Sequence, residues 1–387
     1  MAEDAKALRP SRAASPVGFI PGDEADKLED GLALCLSGGG YRAMVFHVGA
    51  LWRLNELGLL SRIARYSSVS GGSITAATLG LNWNRLDFDA QGVARGFESA
   101  LVGPIRSVAS ETIDVGAILI GLVWNGVANR VQAAYRKYLF GDATLQDLPD
   151  SPRFVINATN LQSKALWRFS KPYMADWRVG KVENPEVPLA VAVGASSAFP
   201  PFLSPVKLDL RDGDFVPGSG AELQKPPYTT EVFLTDGGVY DNLGLETAWK
   251  RYRTILVSDG GGAISPDPTP KRDWAQHAYR VLNVVDNQVR SLRKRQILDG
   301  FQGGERTGAY WSVWTDMRAM SLPDALHCSP DHCQELAETP TRLKAMDERL
   351  QERLINWGYA ACDATMRKYG MARNEPPAAF PYARGLS

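Results

Sequence analysis

"RYSSVSGGSIT", residues 65–75, places four serines and two glycines across the junction of a strand and a helix. Upstream, "IARYSSV" (63–69) reads as a buried strand. Downstream, Ile74, Ala77, Thr78 and Leu81 recur at i, i+3, i+4 and i+7, the spacing of one helical face. Ser67 and Ser68 then belong to the strand and Ser73 lies a turn into the helix, which leaves Ser70 at the turn itself. A sharp strand-to-helix turn strains its serine backbone and exposes Oγ at a helix N-terminus, where the dipole favours developing negative charge. Such turns usually read G-x-S-x-G, because the positions two before and two after the serine nearly touch. Here the run is Ser68-Val69-Ser70-Gly71-Gly72, with the second glycine (Gly72) present and Ser68 in place of the first. By itself this stretch fits a structural Ser-Gly turn as well as it fits a nucleophile.

Thirty residues earlier, "GLALCLS" (31–37) is a continuous apolar run ended by three glycines, the pattern of a buried parallel strand. The loop that follows, Ser37 to Ala43 ("SGGGYRA"), lets the backbone approach a ligand and aim N–H groups at it. That suits a phosphate or an oxyanion. The dinucleotide pattern G-x-G-x-x-G is only partly met, as Gly38-Gly39-Gly40-Tyr41-Arg42-Ala43. Glu56, the nearest acidic candidate for a ribose, falls inside the next helix rather than at a strand end. Arg42 is placed to hold the loop through backbone carbonyls. A third element, "VFLTDGGVYDNLGLE" (232–246), ends an apolar strand on Asp236 and follows it with Gly237 and Gly238. A carboxylate there can take a serine proton without an intervening imidazole; it can equally cap the next helix.

Composition sets the frame. The 387 residues carry 43 basic and 43 acidic side chains, so no global field favours nucleic acid or an anionic membrane, and no nucleic-acid partner is expected. Further strands are expected at 153–161, 232–236, 254–259 and 308–316, with a long helix from Trp274 to Phe301 and another from Thr341 to Tyr369. Strands alternating with helices predict a three-layer α/β/α fold on a mainly parallel central sheet, with a C-terminal helical extension. Residues 1–30 read as a loosely ordered arm, 31–262 as the catalytic domain, 263–387 as an extension packed on it, and "NEPPAAFPYARGLS" (374–387) as a tail. No secretory signal is visible at the start, and the longest apolar run, 115–128, is shorter than a bilayer span and reads as a core helix or as a mobile apolar wall near the site, with core packing favoured. A cytoplasmic protein, free or peripheral to a membrane, is expected.

Taken together, a glycine loop with arginine, an S-x-S-x-G turn about 30 residues on and a downstream Asp-Gly-Gly follow the order of the patatin-like phospholipases. The chain resembles that family from about Gly31 to Gly262, with "LFGDATLQDLP" (139–149), "FVINATNLQSKALWRFS" (154–170) and "AVAVGASSAFPPFLSPV" (190–206) as intermediate blocks. The resemblance implies a patatin-like α/β fold and a Ser-Asp dyad that hydrolyses acyl esters of glycerophospholipids or related lipids. By position, Ser70 would be the nucleophile and Asp236 the base, with the N–H groups of Gly38, Gly39 and Gly40 as the oxyanion hole. Arg42, Gly72, Gly237 and Gly238 would support them. Ser68 and Ala43 depart from the family pattern. The rival readings are a non-lipid esterase or peptidase on the same dyad, and a silent lipid- or partner-binding protein. No metal or organic cofactor is required by this chemistry.

Three other features compete for attention. His47 reads as a packed helix residue rather than a triad base. "HCSPDHC" (327–333) lacks a second ligand pair for zinc and reads as a loop, or a strained disulfide under oxidation. "QVRSLRKRQ" (288–296) reads as a solvated basic face that could meet lipid headgroups.

Overall fold

The computed structural model describes residues 28–113, 126–372, 375–377 and 379–387. Among these residues ten strands form one mixed sheet: β1 (Glu29–Leu36), β2 (Ile63–Val69), β3 (Arg153–Asn160), β4 (Leu166–Phe169), β5 (Tyr173–Asp176), β6 (Gly180–Glu183), β7 (Val206–Asp209), β8 (Glu231–Asp236), β9 (Tyr252–Asp259) and β10 (Thr307–Ser312). The order is β10-β9-β1-β2-β3-β4-β5-β6, with β8 also on β3 and β7 on β8. From β10 to β3 every pairing is parallel; beyond β3 every pairing is antiparallel. The helices that matter below are α1 (Gly40–Glu56), α2 (Gly71–Leu81), α3 (Leu189–Ser196), α4 (Trp274–Gln302) and α5 (Glu348–Lys368).

The apolar run of β1 is explained by burial on both faces. Leu34 and Leu36 face the main apolar core, which also holds Met44, Leu51 and Leu54 of α1 and Ile355 of α5. Ala33 and Cys35 point the other way, into a separate cluster with Leu243, Leu245, Ala248 and Ile297. Side chains alternate across a strand, so a strand covered by helices on both sides has no polar face. The result is the α/β fold expected from the sequence, with helices on either side of the sheet and a helical C-terminal part.

That C-terminal part belongs to the core. β10 extends the sheet beside β9, and α5 lies along α1, so closely that a Cβ on Gly49 would meet Tyr359 N at 2.7 Å. Two expectations fail here. The final residues are no loose tail: Leu386 is buried, its carbonyl accepts from Arg353 Nε at 2.8 Å, and Asn356 Nδ2 donates to the Tyr382 and Gly385 carbonyls. The basic cluster of α4 is no solvated face either. Arg293 pairs with Glu246 at 3.0 Å and lies 3.8 Å from Asp241, Lys294 pairs with Asp259 at 2.9 Å, and Arg290 donates to the Gly262 carbonyl. Arg295, the fourth cation of the cluster, is exposed, while the other three are half-buried. Buried carboxylates in the short helices after β8 (Asp241, Glu246) and at the end of β9 (Asp259) draw these cations inward, because a buried charge is tolerated only when paired. The apolar run at 115–128 falls almost wholly outside the described residues.

Candidate active site

Sheet register brings Ser70 and Asp236 together. β2 runs parallel to β3 and its last residue, Val69, pairs with Asn157. β8 approaches antiparallel along the same edge of β3, and its last residue, Asp236, pairs with Ala158. Two strands thus end head to head on neighbouring residues of β3. The strand that sequence reasoning ends on Asp236 arrives there from the opposite direction to the parallel strands.

Ser70 is the N-cap of α2 with φ 51° and ψ −120°, a left-handed conformation costly for a residue with a side chain. Neighbours hold it there. Its N–H donates to Ser196 Oγ at 3.0 Å. The Gly72 N–H donates to the Ser37 carbonyl at 3.1 Å, and a Cβ on Gly72 would press against the Ser37 and Leu36 carbonyls. Ser68, in the place of the usual glycine, donates to the Val155 carbonyl at 3.2 Å and accepts from Ser73 Oγ at 3.1 Å. Its hydroxyl is satisfied, which accounts for a serine being tolerated there.

The Asp236 side chain is buried, and burial pushes its carboxyl up from 3.8 to about 7. The Gly238 N–H, 2.7 Å from Oδ1, and a hydrogen bond with the Ser70 hydroxyl oppose that rise, while the Asp286 charge on α4 adds to it. Gly237 is glycine because a Cβ would strike the Asn157 carbonyl and lie 3.1 Å from Val69 Cγ1.

The three loop glycines are not equivalent. Gly38 N–H donates to the Asn242 carbonyl at 3.0 Å, so it is already engaged. The N–H groups of Gly39 and Gly40, like that of Gly71 after the serine, have no hydrogen-bond acceptor among the described residues. Gly39 and Gly40 adopt φ 146° and 59°, open to glycine and strained for other residues. Arg42 braces this loop from behind, and not through the loop's own carbonyls. Its Nε donates to the Gly260 carbonyl at 3.0 Å, Nη2 to Thr341 Oγ1 at 2.9 Å, and Nη1 to the Thr339 carbonyl. The Tyr41 N–H donates to the Arg342 carbonyl at 3.0 Å. The segment 339–342, far away in sequence, is therefore part of the loop's support.

His47 is buried and its imidazole is driven down to about 4 by desolvation. Nε2 lies 2.9 Å from the Ser37 carbonyl, which can only accept, so Nε2 carries the proton and Nδ1 accepts from Ser258 Oγ at 2.8 Å. Both nitrogens are committed within the core, as expected of a packed residue. Cys328 and Cys333 are free thiols hydrogen-bonded to each other, Cys333 within the helix Pro330–Ala337. Among the described residues, no three metal-ligating side chains converge. Ser196 and Asn157 escape sequence reasoning because only strand order brings them to the turn, and Asn242 because nothing in the motif after Asp236 marks its side chain out.

Fold and site define an α/β protein with a serine at a strained strand–helix elbow and a buried carboxylate beside it. The chain matches the patatin-like phospholipase family over residues 34–249, more than half its length, and belongs to that family. Among solved structures it is similar to human GIVD cytosolic phospholipase A2, at 15% identity and TM-score 0.54, covering 90% of this chain and 60% of that one. The same human enzyme in complex with methyl gamma-linolenyl fluorophosphonate superposes with TM-score 0.52 at 15% identity, covering 88% and 58%. At that identity the likeness is one of fold, and this chain spans about three fifths of the human enzyme's length. No curated protein matches it by sequence.

Proposed function

We propose that this chain hydrolyses acyl esters of glycerophospholipids or related lipids through an acyl-enzyme on Ser70. The observation that carries this reading is the meeting of the Ser70 hydroxyl, held at a strained elbow, with the buried Asp236 carboxyl. Ser70 Oγ attacks the ester carbonyl and passes its proton to Asp236. The N–H groups of Gly39, Gly40 and Gly71 receive the oxyanion; Gly38 acts through the shape of the loop, its own N–H being taken. Collapse expels the alcohol, which collects the proton from Asp236. The freed carboxylate then deprotonates a water that hydrolyses the acyl-enzyme. No step needs a metal, an organic cofactor or a histidine.

A lipid substrate is favoured by the surface beside the site. On α4, Trp274, Val281, Val285 and Leu292 recur at i, i+7, i+11 and i+18 and are all exposed, Trp274 to 84%. Phe202, also exposed, rests its ring 6.0 Å from that of Tyr279. Asp286, whose charge reaches Asp236, lies on the same helix. Among the described residues no helix is long and apolar enough to cross a membrane. We infer a peripheral contact with lipid through this stripe, in a protein that resides in the cytoplasm.

The test is labelling and product analysis on the purified chain. A long-chain alkyl fluorophosphonate should modify Ser70, and Ser70→Ala should lose both the label and phospholipid hydrolysis. Removing a nucleophile costs about 10⁴ to 10⁶ in kcat. A label that persists in Ser70→Ala overturns the assignment. Turnover of short-chain esters with no release of fatty acid from phospholipid would point instead to a non-lipid esterase, and no turnover at all to the silent reading.

A further inference from the structure

The turn that carries Asp236 runs on through the short helix Gly238–Asp241 to Asn242, a residue the dyad chemistry leaves unused. Asn242 exposes only 8% of its surface. Its backbone carbonyl takes the Gly38 N–H. Its side chain occupies the notch that two glycines leave open. A Cβ on Gly38 would collide with Asn242 Oδ1 and stand 3.1 Å from Ser70 Cβ. A Cβ on Gly238 would stand 2.5 Å from the same Oδ1 and 3.0 Å from Asp236 Oδ1. The amide therefore borders both the nucleophile and its base. Its other terminal atom, Nδ2, faces the Gly261 turn, 3.3 Å from where a Cβ there would lie. Which terminal atom is nitrogen is an assignment, and a half-turn about the last bond exchanges the two.

This amide makes no hydrogen bond to any described residue, although the polar groups around it are engaged. Neither terminal atom is sealed from solvent, so the amide presents an open polar edge beside the nucleophile, where an entering ester would meet it. An ester offers only acceptor oxygens, so the half of the amide that can serve it is the NH₂. There is a compensation in the backbone too. Asn242 removes one donor from the glycine loop through its carbonyl and can return one through its side chain.

We propose that Asn242 is a third active-site residue, its side-chain NH₂ donating a hydrogen bond to an oxygen of the bound acyl ester next to Ser70. The inference rests on the acyl-hydrolase reading and adds a specific donor to it. The amide would turn toward the ester as the substrate enters, and its hydrogen bond would strengthen as charge develops on that oxygen.

The experiment uses the full chain and a soluble p-nitrophenyl acyl ester, with wild type and Ser70→Ala as references. Asn242→Leu keeps nearly the same bulk in the notch and removes the donor. Asn242→Asp keeps the shape and the acceptors and also removes the donor when ionised. Both should lower kcat by roughly 10²-fold, the loss of one oxyanion-type donor, with KM changed much less. Their melting temperatures should stay near wild type, and prolonged exposure to the fluorophosphonate should still label Ser70 to completion, showing an intact elbow. Should Asn242→Leu fail to fold, Asn242→Asp carries the comparison. If either folded variant keeps kcat within threefold of wild type, Asn242 is a structural wedge and the inference is wrong. Absence of ester turnover by the wild type would instead sink the hydrolase reading, and this inference along with it.

Discussion

Ser196 anchors Ser70 by a single hydrogen bond: the Ser70 N–H donates to Ser196 Oγ at 3.0 Å, and that hydroxyl in turn donates to the Asn157 carbonyl at 2.6 Å. Ser73 Oγ, 2.8 Å from Ser196 Oγ, links the same chain of hydroxyls to Ser68. A left-handed serine costs on the order of 1–3 kcal/mol and persists only where its surroundings over-determine it. This buried network, strung between α2, α3 and β3, supplies that constraint.

Ser196→Ala should therefore act on both stability and reactivity. It strands the Ser70 N–H and the Asn157 carbonyl, at a cost of roughly 1–3 kcal/mol. Denaturant unfolding reads the first effect and the rate of fluorophosphonate labelling at Ser70 reads the second. Ser68→Gly, which restores the usual elbow residue but removes a satisfied hydroxyl, should cost stability and leave labelling close to wild type. Unchanged stability and labelling in Ser196→Ala would mean that the network does not hold the elbow.

The glycine loop makes a graded prediction. At Gly40 a Cβ would come within 2.8 Å of the Arg342 carbonyl oxygen and 2.9 Å of its nitrogen, backbone that cannot easily yield. At Gly39 it would lie 2.7 Å from the Gly260 carbonyl oxygen. Either alanine misaligns a free N–H and should reduce kcat on a soluble ester by roughly 10²-fold. Thr341→Val, which takes one acceptor from Arg42, should produce a smaller loss of the same kind. A fall in affinity for a nucleotide, with kcat intact, would identify the loop as a phosphate cradle instead.

How much of this was legible beforehand follows from what each pattern can encode. β1, β2, β3, β8, β9 and β10 were readable because continuous or alternating apolar runs of six to eight residues leave a clear signal. β4, β5, β6 and β7 have four residues each, too few for a period to emerge, and they hold polar members such as Arg168 and Asp176. Asp176 is buried there because Asn160 Nδ2 and Ser163 Oγ donate to it, partners that lie on other elements. Ser70, Asp236 and the glycine loop sit in local motifs with their own punctuation. Ser196 and Asn157 do not; they reach the site only through the register of β2 and β8 on β3, and Asn242, although it follows Asp236 in the same motif, is marked out by no pattern of its own. The inward turn of Arg293 and Lys294 was hidden for the same reason, since Glu246 and Asp259 belong to other elements.

The exposed stripe of α4 predicts partitioning to lipid. Burying a large apolar side chain is worth about 1.5–3 kcal/mol, so losing two should weaken binding at least tenfold. Co-sedimentation with phosphatidylcholine vesicles is expected for wild type and reduced in Trp274→Ser/Val281→Ser. Turnover of a soluble monomeric ester should be the same in both proteins, because neither side chain touches the dyad. Equal sedimentation of the two would show that the stripe is not the lipid contact.

The last prediction concerns pH, where Asp236 imitates a histidine. With its carboxyl at about 7, the base is ionised only above neutrality, so kcat/KM should rise through pH 6–8 and level off beyond. A bare pH profile cannot separate this from an imidazole. Three measurements can. Carboxyl ionisation carries little enthalpy, so the midpoint should move little with temperature. His47→Gln, in which the amide can replace both hydrogen bonds of the ring, should keep most of the activity, whereas Asp236→Asn should keep the fold and lose turnover. Stability supplies the third. The unfolded carboxyl titrates near 3.8 and the folded one near 7, so between those values the native state holds the proton that the unfolded chain has released. The Asp236 contribution to stability should accordingly fall as pH rises from about 4 to 7, by an amount on the order of a few kcal/mol, while the buried neutral His47 acts in the opposite sense in both proteins and cancels from their difference. Asp236→Asn has no such proton, so it should be the more stable protein at pH 8 and gain no such advantage at pH 4.5. Thermal melts at those two values decide the matter: an equal difference at both would mean that Asp236 is already ionised across the range, and its use as the base near neutrality would need another explanation.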